Sequence, residues 1–206
     1  LNARDRHGRP NSGILLTLLG GQVFMDGHQE LPYRASHIRN ALRDGIDDRR
    51  RLSATAKSTY RPHVSIAVSE KSPAKVTREL VQWSFSAGAQ TVQILVRRTG
   101  GQPGAFNLGR LDPEIRPDRT SWNLAMRWDE DQLKIVDRRG NTPLFMGALD
   151  ALKENSEFLV ASPAGTSTVS ALISLQTNQS HGELAHLLSL LYARTPGMHI
   201  ALEVEE

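Results

Sequence analysis

The sequence reads as one unit written twice, with corresponding residues about 110 positions apart. A fixed spacing between similar segments is typical of a repeated structural unit. The apolar segment around Leu16 corresponds to the segment around Met126, and the features that follow keep their order. The other matched pairs lie 109 to 111 positions apart: Asp26 with Asp137, Pro32 with Pro143, Val64 with Ile173, Ile66 with Leu175, and Gly88 with Gly197. The pattern predicts an internal duplication, so that one fold occurs twice.

Strand and helix signals in the first half give the element order of that fold. Gly20 and Gly21 separate two short apolar runs and provide the positive φ angles of a two-residue hairpin turn. Pro32 marks a helix start, and the polar stretch 43–60 either prolongs this helix or forms an exposed excursion. A strand is then predicted at His63–Val68, a helix that opens at Ser72-Pro73 and is stopped by Gly88, and a second strand at Thr91–Val96.

The second half repeats this order in a looser form. It predicts a hairpin, a helix after Pro143, a strand, a leucine-rich helix and a last strand. The hairpin strands are Asn123–Trp128 and Gln132–Val136, and the helix after Pro143 carries Leu144, Ala148, Leu149 and Leu152. The next strand is Val169–Leu175, the leucine-rich helix is Glu183–Ala193, and the last strand is His199–Val204. Each half is therefore predicted to be an α+β domain, a two-layer α/β sandwich of order β-β-α-β-α-β. We expect a mixed sheet with both helices on one face, and a pseudo-two-fold arrangement of the two repeats.

Glycine and proline mark the boundary between the halves. Residues 99–120 are rich in both and are predicted to be a linker, in which Phe106–Leu111 adds an edge strand to the second domain. The domains are then residues 1–98 and 121–206. Residues 1–98 carry a net charge of +8 and residues 99–206 one of −5, which is compatible with mutual attraction.

No residue pattern predicts catalysis, a cofactor or a metal site. The chain has no cysteine and lacks the nucleophile-elbow, phosphate-loop and zinc-protease motifs. His181 and His186 are badly spaced for one helical face, and the acidic run 129–131 is typical of a solvated turn. The three tryptophans, Trp83, Trp122 and Trp128, are interpreted as core or interface residues. We expect a protein that is not an enzyme.

One basic cluster is a candidate partner-binding site. It consists of Arg49, Arg50, Arg51 and Lys57. Runs of this kind usually form solvated faces, but a basic patch also suits cell-wall carboxylates, an acidic protein or nucleic-acid phosphates. Because aromatic residues are not interleaved with the cluster, except for the nearby Tyr60, nucleic acid is the least expected partner.

The segment PHVSIAVSEKSPAKVTRELVQWSFSAGAQTVQILV (residues 62–96) resembles the periplasmic domain of ExbD/TolR-type proteins. The resemblance rests on an alternating strand, a polar turn, a helix ending in Ala87-Gly88 and a final alternating strand. It implies a biopolymer-transport component of the cell envelope, driven by the proton-motive force and served by a proton-channel subunit of ExbB/TolQ type. Family members carry one such domain behind a transmembrane helix with a proton-coupling aspartate. This chain shows two domains and no such helix, so no residue inherits that role.

The resemblance leads to the functional expectation. We expect a non-enzymatic periplasmic binding and coupling module, tethered to the inner membrane by a segment outside this sequence and acting as a homodimer or an intrachain pseudo-dimer. Its partners would be peptidoglycan or envelope proteins, engaged by strand addition at Thr91–Val96 or His199–Val204. Two alternatives stay open: a cytoplasmic regulatory or scaffold protein with duplicated α/β domains that bind a small ligand, and a nucleic-acid-binding protein that uses the basic first half.

Overall fold

The computed structural model of the chain describes residues 13–97, 103–109, 124–129, 131–137, 141–155, 157, 170–176, 178–194 and 198–203. These residues fall into two units. One consists of Leu1–Val68 with Leu80–Ala105, and the other of Ser69–Glu79 with Phe106–Glu206. Each unit contains a mixed β-sheet, and three α-helices are described in all, so the protein has the α+β fold that the sequence predicts.

The first sheet has six strands, and two helices lie between them along the sequence. The strands are β1 (Ile14–Leu19), β2 (Gln22–Met25), β3 (Gln29–Leu31), β4 (His63–Ala67), β5 (Thr91–Arg97) and β6 (Pro103–Leu108), and the helices are α1 (Ala35–Thr55) and α2 (Ala74–Ser86). The spatial order is β3-β2-β1-β4-β5-β6. Strands β1, β2 and β3 pair antiparallel, whereas β1, β4 and β5 run parallel.

The second sheet repeats the first five strands of this arrangement. It consists of β7 (Leu124–Asp129), β8 (Gln132–Asp137), β9 (Thr142–Gly147), β10 (Ser170–Ser174) and β11 (His199–Leu202), with a 3-10 turn at Leu149–Lys153 and helix α3 (His181–Arg194). The order is β9-β8-β7-β10-β11, with antiparallel and parallel pairs in the same places as in the first sheet. The predicted duplication is therefore confirmed strand for strand.

The strand registers correct the predicted residue equivalences. Leu16 pairs with Ile66 in the first sheet, and Met126 pairs with Ile173 in the second. Ile66 thus corresponds to Ile173, 107 positions later, and the predicted pairing of Val64 with Ile173 is wrong by two residues. A slip of two residues keeps every side chain on the same face of the sheet, so alternation of apolar and polar residues does not detect it.

A similar correction applies to the two aspartates. The Asp26 N–H donates to Leu15 O (2.8 Å), so Asp26 is the cross-strand partner of Leu15. Leu15 corresponds to Ala125 in the second half, and the cross-strand partner of Ala125 is Val136. Asp26 therefore corresponds to Val136, and its predicted equivalence with Asp137 is wrong by one residue. Asp26 follows the last residue of β2 and has a φ of +54°, whereas Asp137 is still part of β8, so the matching residue type was coincidental.

Both halves contain a third strand that the sequence did not predict. In the first half, β3 is short and polar, and α1 begins at Ala35 rather than at Pro32. In the second half, the predicted helix after Pro143 is wrong, because Pro143 lies within β9. The reason is that β9 ends the sheet, and an edge strand tolerates a residue without an N–H donor. A 3-10 turn that buries Leu152 follows.

Strand β6 changes the predicted sheet edges. It lies in the predicted linker, of which Phe106–Leu111 was expected to add an edge strand to the second domain. The residues from Phe106 onward do group with the second unit, but the strand is hydrogen-bonded beside β5 in the first sheet. The expectation that Thr91–Val96 forms an edge is therefore wrong. Strand β11 does end the second sheet, and its Ile200 carbonyl accepts a hydrogen bond from Gly109 N (2.6 Å).

Alternating burial separates a packed face from an open face in each sheet. In the first sheet Leu16 is fully buried, its neighbours on the same face are buried, and Ile14 and Met25 lie against Gly45 of α1. In the second sheet Met126 is fully buried on the corresponding face. The opposite faces carry Thr17 and Arg127, respectively, and are more exposed. We call these the open faces of the two sheets.

Candidate functional site

Four polar side chains form a row across the open face of the second sheet. Lys134 of β8 pairs with Arg127 of β7, and Arg127 pairs with Ser174 of β10. The row ends at Glu203, which follows β11 and extends its pairing by donating its N–H to Ile173 O (2.8 Å). Ser174 Oγ donates a hydrogen bond to Glu203 Oε2. We call Lys134, Arg127, Ser174 and Glu203 the charged row.

The charged row lies in a concave part of the surface. Two adjoining depressions of about 420 Å³ each share Arg127, Ser174 and Glu203. One of them also contains apolar side chains from the neighbouring row of the sheet: Ala125, Val136 and Leu172. Charged groups beside an apolar floor are the usual composition of a surface that binds a small ligand or a peptide.

Arg127 and Lys134 stand directly opposite each other on neighbouring antiparallel strands. Cross-strand partners lie about 5 Å apart at their Cβ atoms, and like charges in such positions destabilise a sheet by about 0.2 to 1 kcal/mol. Within the described residues, neither side chain forms an ion pair or a hydrogen bond. Arg127 and Lys134 are therefore adjacent cations with no ion-pair partner among the described residues, which favours the binding of an anionic group between them, although the exposed Asp129 lines one of the depressions together with Arg127.

The same four positions are apolar or neutral in the first sheet. The strand registers place Phe24 opposite Thr17, Thr17 beside Ala67, and Ala67 beside Leu95. This row corresponds, in order, to Lys134, Arg127, Ser174 and Glu203. All four side chains are half-buried. The duplication has therefore kept the sheet positions and changed their chemistry.

A smaller polar group lies on the open face of the first sheet. His63 Nε2 and Ser65 Oγ are 3.0 Å apart, and Gln93 pairs with Ser65 across β4 and β5. Burial lowers the pKa of His63 below 6.5, and a hydrogen bond with Gln93 partly offsets this shift. Ser65 is only 5% exposed, whereas His63 is half-buried.

The four residues of the predicted basic cluster do not lie together on one surface. Arg49 turns inward, where its Nη2 is 2.6 Å from Asp26 Oδ2 and its Nη1 donates to Gly45 O. Arg50 pairs with Asp47 and Arg51 with Asp48, at 3.1 and 3.6 Å, along the exposed side of α1. Lys57 lies beyond the helix, in an exposed turn with a φ of +50°. Aspartates thus neutralise three of the four cations, and the partner-binding role of the cluster stays a prediction.

His181 belongs to a buried group at the start of α3. Its Nδ1 lies 2.8 Å from Thr77 Oγ1, and His181 and Thr77 are 1% and 0% exposed. Burial lowers the pKa of His181 to about 4, so the ring is neutral at pH 7. This environment is that of a core residue, in which a neutral imidazole shares a hydrogen bond with a hydroxyl group.

The remaining candidates do not assemble into a site. His186 Nδ1 is 3.7 Å from Asp150 Oδ1, and Asp131 is exposed. In the described residues, no three histidine or acidic side chains group closely enough to hold a metal ion. Trp128 is 3% exposed, which confirms its interpretation as a core residue, and Trp83 stacks at a tilt on Tyr33 with ring centroids 5.3 Å apart. Trp122 and Glu130 lie outside the described residues.

No protein-family model matches the chain, and no curated protein matches it. Among the helices that the structure describes, none combines the length and apolar character needed to span a bilayer.

Sequence reasoning missed the charged row, although one of its pairs had a visible signal. The predicted hairpin around residues 129–131 brings Arg127 close to Lys134, and its register would have placed two cations side by side. Ser174 and Glu203 carry no such signal, because they join the row only through long-range parallel pairing.

Proposed function

We propose that the chain is a non-enzymatic binding and coupling module of the cell envelope, of the ExbD/TolR type, which engages peptidoglycan or protein partners. The duplicated sheet with one open face per copy carries this proposal. A sheet that is packed on one face and open on the other offers a broad surface for binding, and its duplication offers two such surfaces in one chain.

The segment that resembles ExbD/TolR proteins supports the proposal through its fold. It forms β4, α2 and β5 as consecutive elements, with β4 and β5 adjacent and parallel. Gly88 ends the helix with a φ of +103°, a conformation that favours glycine. Ala87 is 6% exposed, and its N–H donates to Trp83 O (2.9 Å). The order strand, helix, Ala-Gly and strand, on which the resemblance rests, is therefore present in the structure, although residues Ser69–Glu79 group with the second unit and the rest of the segment groups with the first.

The chemistry of the charged row also favours binding over catalysis. Ser174 donates its proton to Glu203 rather than to a histidine, so the two side chains resemble a structural hydrogen bond more than an activated nucleophile. The histidine that does contact a serine, His63, is half-buried, and its partner Ser65 is only 5% exposed.

The two alternative functions receive less support. A nucleic-acid interface needs cations that are free to meet phosphates, whereas Arg49 turns inward to Asp26 and Gly45 O. A cytoplasmic scaffold that binds a small ligand is compatible with the depressions of the second sheet. The identity of the binding partner, a small cytoplasmic ligand or an envelope component, distinguishes this alternative from the envelope module.

Sedimentation with cell-wall sacculi tests the proposal. The purified chain is incubated with isolated peptidoglycan and pelleted, and in parallel it is mixed with a detergent-solubilised proton-channel subunit of ExbB/TolQ type. We expect the chain to be retained by at least one of these partners in a salt-dependent way. If neither retains it, and its binding is confined to nucleic acid or to cytoplasmic ligands, the envelope assignment is wrong.

A further inference from the structure

The charged row has a polarity along its length. It begins with two cations, passes through a hydroxyl group and ends with a carboxylate. Neighbouring strands are about 4.8 Å apart, so Arg127 and Glu203, two strands apart, are separated by about 10 Å across the sheet. A ligand that satisfies both ends therefore needs an anionic and a cationic group about 10 Å apart.

From this geometry we propose that the charged row binds a short zwitterionic peptide across the strands. Its free carboxylate lies between Arg127 and Lys134, and its free amine lies against Glu203. An extended chain advances about 3.3 Å per residue, so a peptide of three or four residues spans the distance. The apolar side chains Ala125 and Leu172 lie in the adjoining depression and contact an aliphatic side chain of the peptide.

The cationic end suits a carboxylate for two reasons. The guanidinium of Arg127 offers two parallel N–H donors, which match the two oxygens of a carboxylate. The neighbouring ammonium of Lys134 supplies a second charge, and the bound anion removes the repulsion between these two cross-strand partners. Arg127 is exposed, so it is accessible to a ligand from solvent.

The anionic end is held in place by the sheet. Glu203 receives the Ser174 hydroxyl at one carboxylate oxygen, and its backbone is fixed by the hydrogen bond to Ile173 O. One Glu203 oxygen thus accepts the internal bond, while the carboxylate retains further lone pairs for an amine. Because the row ends with this carboxylate, a simple dianion is a poorer match than a zwitterion.

Titration of the full chain with unblocked trialanine, followed by amide chemical shifts, tests the proposal. We expect saturable shifts centred on β7, β8 and β10. Amidation of the peptide C-terminus and acetylation of its N-terminus should each weaken binding, the former by about tenfold or more, because a charged hydrogen-bond partner is lost. Equal affinity for the free and the amidated peptide would overturn the proposal, as would tighter binding of inorganic phosphate than of trialanine.

Variants locate the site. Arg127→Thr, which introduces the residue found at the corresponding position of the first sheet, should weaken binding of trialanine by about tenfold or more. Arg43→Thr removes the same charge from an exposed position of α1 and should leave binding unchanged. Arg127→Lys keeps the charge but loses the planar pair of donors, and should have an intermediate effect. Wild-type affinity in Arg127→Thr would contradict the assignment, provided that its amide spectrum stays that of the folded chain.

This inference stands apart from the proposed cell-envelope role, since the titration needs only the purified chain and a defined peptide. Failure of trialanine binding leaves the sedimentation with sacculi open, and failure of sedimentation leaves the peptide site open.

Discussion

The two sheets share strand order and direction but differ on their open faces. Thr17 and Arg127 occupy the same sheet position, yet Thr17 has Phe24 as its cross-strand partner and Arg127 has Lys134. On the packed faces, by contrast, Leu16 and Met126 are both fully buried and apolar. We infer that packing restricted the packed face of each copy to apolar residues, whereas the residues on the open face were free to differ between the copies.

The helix starts show the same division between conserved geometry and altered chemistry. Within the second unit, Ala74 N donates to Gln179 O (2.7 Å), and His181 N donates to Ser72 O (2.6 Å). Ala74 and His181 are the first residues of α2 and α3, 107 positions apart, so equivalent positions exchange equivalent bonds. The backbone pattern is the same in both, but only His181 carries a titratable side chain.

Truncation of the two central core residues gives the largest expected effect. Leu16→Ala and Met126→Ala each remove a fully buried side chain from the middle strand of a sheet, and each should lower the free energy of unfolding by about 2 to 5 kcal/mol. Urea denaturation measures the change. If one substitution is costly and the other is tolerated, the two positions are not equivalent. Exposed Arg43→Ala is the control and should change stability by less than about 0.5 kcal/mol.

The pH dependence of stability should reveal the difference between the two helix starts, because only His181 is titratable. The folded-state pKa of His181 is about 4, below its ordinary value of 6.5, so the unfolded chain binds more protons between these pH values. The contribution of His181 to the free energy of unfolding is therefore at its maximum above pH 6.5. It falls by about 3 kcal/mol as the pH drops to 4.

His181→Ala, which installs the residue of the first half, should remove this contribution. Thermal or urea unfolding of the variant and of the wild type at pH 4.5 and pH 7 gives the difference. The lowered pKa of His63 contributes to both proteins and cancels. An unchanged pH dependence in His181→Ala would show that His181 is solvated in the folded chain.

The third prediction concerns the ion pair between Asp26 and Arg49, which has no equivalent at Val136 in the second half. Asp26 Oδ2 pairs with Arg49, and its Oδ1 accepts the Leu15 N–H (2.9 Å), whereas Val136 stands at the corresponding position. Asp26→Ala should therefore lower the free energy of unfolding by about 1 to 2 kcal/mol. Arg51→Ala, which removes a largely exposed pair with Asp48, should cost less than about 0.5 kcal/mol and is the control. Equal effects would contradict a special role for Asp26.

The smallest effect has the opposite sign. Arg127→Thr removes the repulsion with Lys134 and should raise the free energy of unfolding by about 0.2 to 1 kcal/mol, although it weakens peptide binding. The inverse change, Thr17→Arg, places the arginine opposite Phe24 rather than a cation, so it should not show a loss from like-charge repulsion. Destabilisation by Arg127→Thr would mean that its guanidinium supports the fold.

Local signals explain which elements could be predicted from the sequence. Gly20 and Gly21 do have positive φ angles of +59° and +84°, and they join β1 to β2 as predicted. The polar stretch after residue 42 proved to be helix up to Thr55, held by Ile46 and its upstream neighbours in the core. Strand β3 escaped prediction, because its three residues carry no alternation, and β9 escaped because its proline suggested a helix start.

The charged row could not be predicted as a whole, for a different physical reason. Arg127 and Lys134 are local neighbours in a hairpin, but Ser174 and Glu203 reach them only through the register of parallel strands. Apolar alternation leaves that register open to slips of two residues, and the predicted equivalence of Ile66 with Leu175 contained such a slip.

Backbone contacts between central strands test the duplication most directly. In an NMR spectrum of the folded chain, inter-strand nuclear Overhauser effects should join Leu16 with the Ile66 region and Met126 with the Ile173 region, in the same parallel pattern. This outcome would establish one sheet design present twice. Contacts that place Met126 beside Leu175, or that place β7 away from β10, would contradict it.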